Sequence, residues 1–324
     1  MDGKSRIDTL NNIQIFAGNA NPTLAKKVCK YLSIPLGNVL VGRFPDGEID
    51  VKVNEDVRGS DIFIIQPTCP PVNDNLTELL ILIDCFKRAS SARITAVLPY
   101  YGYARKDRKD EGRVPITAKL VANLVTEAGA DRLLTIDLHA AQIQGFFDIP
   151  VDHLLAFRVL ADYYKEKKLE DFIVVSPDVG GIKIARLYSK NMHIRLAVVD
   201  KRRIGPEEIE VGFVIGDVKD KNAIIIDDLI ATGGSICQAA RILKEKGAKD
   251  IYVGATHPVL CGSAAEKLMD APIKEIAVTD TIPLNEQARM LGKKIKVLSI
   301  ASLLGEAIKR IHTNKSISSM FSES

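Results

Sequence analysis

Ala223-Ile224-Ile225-Ile226-Asp227-Asp228-Leu229-Ile230-Ala231-Thr232-Gly233-Gly234-Ser235 is the stretch from which the fold is read. Its apolar, isoleucine-rich start predicts a strand buried on both faces, the kind found in parallel sheets covered by helices. Two adjacent acids end the strand, a loop of small residues follows, and a helix begins near Ser235. In open α/β sheets the C-terminal strand edge is where ligands bind. Thr232-Gly233-Gly234-Ser235 offers backbone N–H groups and hydroxyls to a phosphate, backed by the positive end of the helix. The carboxylates of Asp227 and Asp228 suit ribose hydroxyls or a metal, so the whole stretch suits a sugar phosphate. A plain βα turn needs neither Asp-Asp nor Gly-Gly.

The same alternation runs along all 324 residues. Strand-length apolar runs occur at 62–65, 94–98, 133–138, 172–176, 196–200, 223–227, 251–256, 276–279 and 295–298. Helical patterns occur at 76–90, 116–128, 155–167, 181–190, 235–246 and 301–312. This predicts an α/β fold with mainly parallel sheets flanked by helices. Strand, loop, helix and strand over 62–98 are repeated in order over 224–256. In the first copy, Gln66-Pro67 stands for Asp227-Asp228, and Pro70-Pro71-Val72-Asn73 for the glycine loop. Two similar domains are expected, 1–150 and 151–324, of which only the second keeps the phosphate cradle; the first is free to serve another substrate.

Composition narrows the function classes. A net charge of +3 implies no large nucleic-acid surface, and the absence of Trp argues against a stacking platform for single strands. Five scattered cysteines without a CxxC pair read as reduced packing thiols. No apolar run is long enough to span a membrane and Met1-Asp2-Gly3-Lys4-Ser5-Arg6 has no apolar signal core, so a soluble cytoplasmic protein is expected. GxxxxGK[ST], GxGxxG, HExxH and GxSxG are all absent.

Several other clusters have two readings. Phe44-Pro45-Asp46-Gly47-Glu48 is either a turn between strands or a place where an aromatic face and acids hold a base. Arg105-Lys106-Asp107-Arg108-Lys109 follows a strand and either faces a polyphosphate or is a solvated loop. His139, at a strand end in Asp137-Leu138-His139, is either structural or a ligand; an imidazole is an unusual partner for Mg²⁺. Ser176-Pro177-Asp178-Val179-Gly180-Gly181 suits a second phosphate or a metal-bound pyrophosphate. Lys201-Arg202-Arg203 before Gly205-Pro206 reads as a solvated loop or as a mobile arm that closes over a polyphosphate.

Taken together, these stretches resemble the class I ribose-phosphate diphosphokinase (phosphoribosyl pyrophosphate synthetase) family. The resemblance runs from Phe16-Ala17-Gly18-Asn19 to Ser316-Ile317-Ser318-Ser319-Met320-Phe321, and its most specific piece is Asp137-Leu138-His139-Ala140-Ala141-Gln142-Ile143-Gln144-Gly145-Phe146-Phe147-Asp148-Ile149-Pro150. It implies two phosphoribosyltransferase-type domains and the reaction of Mg-ATP with ribose 5-phosphate to give phosphoribosyl diphosphate and AMP. By resemblance, Phe44, Asp46, Gly47, Glu48, Arg105 and Lys106 fall at ATP-binding positions, and His139 and Asp178 at magnesium positions. Lys201 and Arg203 fall in the catalytic flexible loop, and Asp227, Asp228, Ala231, Thr232, Gly233, Gly234 and Ser235 in the ribose 5-phosphate site. Arg58, Ser90, Ser318 and Ser319 fall where a regulatory anion would bind. The family also implies a homohexamer built as a trimer of dimers, activation by inorganic phosphate and inhibition by ADP.

Two positions depart from the family pattern. Ala231 replaces an acid of the usual Asp-Thr-Gly-Gly-Thr loop, and Lys106 stands where Gln is usual. Adenine phosphoribosyltransferases also carry Ala at the first loop position, so altered ribose 5-phosphate affinity is expected rather than loss of activity. Two rival readings are a transferase that consumes phosphoribosyl diphosphate and a non-catalytic subunit of an active synthetase. The duplicated domain and the Lys201/Arg203 arm argue against the first, and retention of His139, Asp178 and the glycine loop against the second.

Overall fold

Strands and helices alternate from end to end in a computed structural model that describes residues 10, 12–167, 170–202 and 211–320. They divide into two units, residues 155–299 and residues 1–154 with 300–324. The first unit holds Ile13–Ala17 (β1), Val39–Arg43 (β2), Ile49–Val53 (β3), Asp61–Ile65 (β4), Arg93–Leu98 (β5), Arg132–Ile136 (β6) and Val151–Leu154 (β7). The second holds Phe172–Ser176 (β8), Arg195–Arg202 (β9), Val211–Ile215 (β10), Asn222–Leu229 (β11), Ile251–His257 (β12), Glu275–Thr279 (β13) and Ile295–Leu298 (β14).

The first sheet is wholly parallel, in the order β1-β4-β5-β6-β7, while β2 and β3 form a separate antiparallel ribbon. The second sheet has the order β10-β9-β8-β11-β12-β13-β14, with β10 antiparallel at its edge. Helices cover both faces of this sheet, and that explains the unbroken apolar run of β11. Ile225 packs into one core with Ala240 and Leu243 of the helix Gly234–Glu245. Ile224 and Ile226 point the other way, to Leu160 and Tyr164 of the helix Phe157–Glu166 and Tyr188 of the helix Ile182–Met192. Each of these buried Ile and Leu side chains contributes about 1.5–3 kcal/mol.

The repeat read over 62–98 and 224–256 extends across both units. Each runs strand, helix, antiparallel strand pair, strand, helix, strand, helix, strand and strand, so that β1–β7 correspond to β8–β14. What differs is the pair. In the second unit β9 joins the sheet beside β8, whereas in the first its counterpart β2 stays in the separate ribbon. From β8 the second chain path therefore moves one way to β9, and from β11 it moves the other way to β12. A switch point opens between β8 and β11, which is where open α/β sheets form a ligand crevice.

The expected second domain, 151–324, differs from this division at both ends. β7 pairs with β6 and so belongs to the first sheet. The helix Ala301–His312 also belongs to the first unit, against the helix Pro22–Leu32. Gly305 permits the close crossing: a Cβ there would lie 2.4 Å from the Tyr31 ring. The strand expected over 133–138 stops at Ile136, because Asp137 turns the chain with φ 38°.

Candidate functional site

β11 carries Asp227 and Asp228 to the switch point. Asp228 is buried and Asp227 half-buried, and Asp227 accepts the Asp228 backbone N–H at 2.9 Å through Oδ1. Burial first, then the neighbouring Asp228 carboxylate and, more weakly, Asp178 push the Asp227 carboxyl up to about 8. Like charges held this close make one protonated and one ionised acid the stable arrangement near neutral pH. A metal ion or a sugar diol is the natural relief for such a pair.

Beyond the acids, Ile230 N–H donates to His257 O and Cys261 N–H to Ala231 O, which ties the loop to the end of β12. The loop then turns at Gly233, whose φ of 72° favours glycine, into the helix Gly234–Glu245. The first turn of this helix carries no acidic side chain and Gly233 gives no side-chain cap, so the positive helix end faces Thr232, Gly234 and Ser235, all exposed.

Asp178 follows β8, on the other side of the same switch point. Its Oδ1 accepts the Gly181 N–H at 3.0 Å, and Ser176 Oγ donates to its backbone carbonyl at 2.7 Å. Its charge is felt at Asp227. Lys201 lies on β9, the strand next to β8, opposite Gly212 of β10. Arg203 lies outside the described residues. The second unit thus brings Asp178, Asp227, Asp228 and the glycine loop to one crevice, with the strand bearing Lys201 at its flank.

The first unit carries the remaining expected residues. Phe44, Asp46, Gly47 and Glu48 form the turn of the β2–β3 ribbon, closed by Phe44 N–H to Glu48 O at 2.8 Å and Gly47 N–H to Phe44 O at 2.9 Å. Half of the Phe44 surface is exposed, so one face of its ring is open to solvent. Arg105 and Lys106 are exposed in the loop after β5, where Ala118 N–H donates to Lys106 O and Lys106 Nζ lies 3.3 Å from Asp110. His139 is exposed in the turn after β6, next to Leu138, whose N–H donates to His153 Nε2 at 2.9 Å.

Arg58 and Ser90 are neighbours, since Gly59 N–H donates to Ser90 O at 2.9 Å. Ser318 and Ser319 belong to a short 3₁₀ turn, and Arg310 donates to Ser319 Oγ. Sequence reading missed Arg43, which donates to Gly47 O at 2.9 Å and pairs with Asp74 at 2.8 Å, and so braces the ribbon turn. No spacing signal links those positions, which lie on different elements.

Among the described residues, no group of three or more His, Cys, Asp or Glu side chains forms a ready-made metal cage. No helix is long and apolar enough to cross a membrane. Cys29 and Cys69 behave as packing residues: burial pushes their thiols up to about 11.

Residues 13–129 match the N-terminal domain of ribose phosphate pyrophosphokinase, and residues 206–322 match the phosphoribosyl synthetase-associated domain. The chain is 56% identical to the ribose-phosphate pyrophosphokinase of Rhodopirellula baltica, covering 97% of this chain and 100% of that one. It is 54% identical to that of Caldanaerobacter subterraneus, over 96% and 98%. The crystal structure of phosphoribosylpyrophosphate synthetase from Mycobacterium smegmatis superposes with a TM-score of 0.88 at 43% identity, covering 94% of this chain and 100% of that one.

Proposed function

Because the chain belongs to the ribose-phosphate pyrophosphokinase family, we propose that it transfers the β,γ-diphosphoryl group of ATP to the 1-hydroxyl of ribose 5-phosphate, releasing AMP. The observation that carries this reading is the crevice between β8 and β11, where Asp178, Asp227 and Asp228 meet a glycine loop at a helix N-terminus.

Asp227 and Asp228 orient the 2- and 3-hydroxyls of the sugar, and Thr232, Gly233, Gly234 and Ser235 anchor its 5-phosphate. The anomeric hydroxyl is thereby aimed at the β-phosphorus, in line with the AMP leaving group. Phe44 stacks on the adenine, Asp46 and Glu48 accept from its amine, and Arg105 and Lys106 neutralise phosphate charge. Lys201 and Arg203 stabilise the transferring group as its charge spreads.

The crowded carboxylates at the crevice suit a hard cation such as Mg²⁺, which takes oxygen ligands from one or two carboxylates and shares the substrate's phosphates. Asp178 is the residue of that crevice that would hold it, and by resemblance His139 of the first unit also falls at a magnesium position. When bound, Mg²⁺ supplies charge neutralisation on the phosphate oxygens.

Ala231 leaves the sugar-phosphate loop one acid short, so ribose 5-phosphate affinity differs from that of relatives with Asp there, without loss of turnover. The family reading extends to a cytoplasmic homohexamer built as a trimer of dimers, activated by inorganic phosphate and inhibited by ADP through Arg58, Ser90, Ser318 and Ser319. Incubation with ATP, Mg²⁺ and ribose 5-phosphate, with and without phosphate, is the test. AMP formed only when the sugar is present supports the proposal; no AMP under either condition refutes it.

A further inference from the structure

We propose that Glu78 is a built-in anion that positions the nucleotide-side ribbon, which makes it a positioning residue for ATP. The inference rests on the reading of the first unit as the nucleotide side.

Glu78 lies in the helix Val72–Arg88 and is only 4% exposed. Its carboxylate accepts from neutral N–H groups: Asn19 backbone N–H at 2.6 Å, Asn19 Nδ2 at 3.0 Å and Gln66 Nε2 at 2.8 Å. Gln66 is fully buried, and its Oε1 accepts the Ala20 N–H at 3.1 Å. Gly18 leaves no slack, since a Cβ there would lie 2.4 Å from Gln66 Oε1 and 2.6 Å from Glu78 Oε1. A carboxylate this buried is tolerated only where donors replace water around it.

The place of this carboxylate is telling. Asn19 and Ala20 follow β1, and Gln66 follows β4, the strand paired with β1. These are the counterparts of Asp178 after β8 and of Asp227 near the end of β11. The strand ends that carry acids in the second unit carry amide donors in the first, and the protein's own carboxylate sits against them. The duplicated unit has become self-liganded.

The network reaches the ribbon. Asn19 Nδ2 also donates to Val41 O of β2 at 3.2 Å. Four residues before Glu78 on the same helix, Asp74 holds Arg43, which in turn donates to Gly47 O. Asn73 accepts from the Tyr103 hydroxyl, two residues before Arg105. The first two turns of one helix thus brace both segments assigned to the nucleotide.

The experiment compares steady-state kinetics of full-length wild type, Glu78→Ala and Glu78→Gln. In Glu78→Ala the KM for ATP rises about tenfold, the scale of losing hydrogen bonds to a charged acceptor, while kcat and the KM for ribose 5-phosphate stay within about twofold. Added formate, at constant ionic strength, restores the ATP KM by refilling the donor-lined space. Glu78→Gln keeps the shape and one acceptor and gives a smaller rise, again for ATP alone; this covers the case in which the alanine variant does not fold. Equal changes in both KM values, a fall in kcat alone, or no response to formate in a folded alanine variant overturns the proposal. Absence of AMP formation by wild type instead refutes the proposed reaction, so the two failures are distinguishable.

Discussion

Replacing Asp227 by Asn should make the unliganded protein more stable and a poorer enzyme. The wild-type carboxyl is held at about 8 instead of 3.8 by burial and by Asp228 and Asp178. Since the folded value lies above the unfolded one, the native state holds more protons between these limits. Stability is therefore greatest at the acid end and is lost as pH rises from about 4 to about 8, then levels off. The full effect corresponds to on the order of 6 kcal/mol. Water reaches the half-buried Asp227 and the pair shares its titration, so we expect a gain of ~2 kcal/mol from the variant.

Asn keeps the acceptor for the Asp228 N–H, so the exchange removes charge and little else. In thermal melts of the unliganded protein, Asp227→Asn should raise Tm by roughly 4–8 °C at pH 9 and leave it unchanged near pH 4. The same variant loses a charge-assisted bond to the sugar, and its KM for ribose 5-phosphate should rise by about 30-fold or more. A Tm gain that is absent, or equal at both pH values, would mean that the acids do not crowd one another.

Three further outcomes are expected. Lys201→Ala should lower kcat by about 10²–10³-fold with little change in ribose 5-phosphate affinity, and near-normal turnover sinks the role given to that lysine. Gly233→Ala puts a side chain on a backbone with φ 72°, where its Cβ would meet Leu268 Cγ at an ordinary 3.4 Å. Strain rather than collision should then destabilise it by about 1–2 kcal/mol in urea unfolding, with a raised ribose 5-phosphate KM. Asp61→Ala should cost about 3 kcal/mol, because Asp61 accepts from Arg93 Nε at 2.8 Å and lies 2.7 Å from His312 Nδ1, in a largely buried cluster. Hydrogen exchange should then show the helix Ala301–His312 opening first, since Arg93 also donates to Ile311 O; unchanged protection of that helix counts against this.

The sequence by itself determined nine strands, the mainly parallel character of their sheets and the acid-glycine loop at Asp227–Ser235. Buried parallel strands must be continuously apolar, and a phosphate loop must be small and follow a strand, so both leave local marks. The ribbon strands β2 and β3 were invisible because they are half-exposed and alternate, without an unbroken apolar run. The helix Ala301–His312 could be read as a helix, but not as part of the first unit, since Gly305 against Tyr31 spans some 270 residues of chain. Tertiary structure alone decided strand order, and with it the switch point that gathers Asp178, Asp227 and Asp228. It alone put Glu78 between Asn19 and Gln66. Both depend on which distant strand ends become neighbours, and no local pattern encodes that.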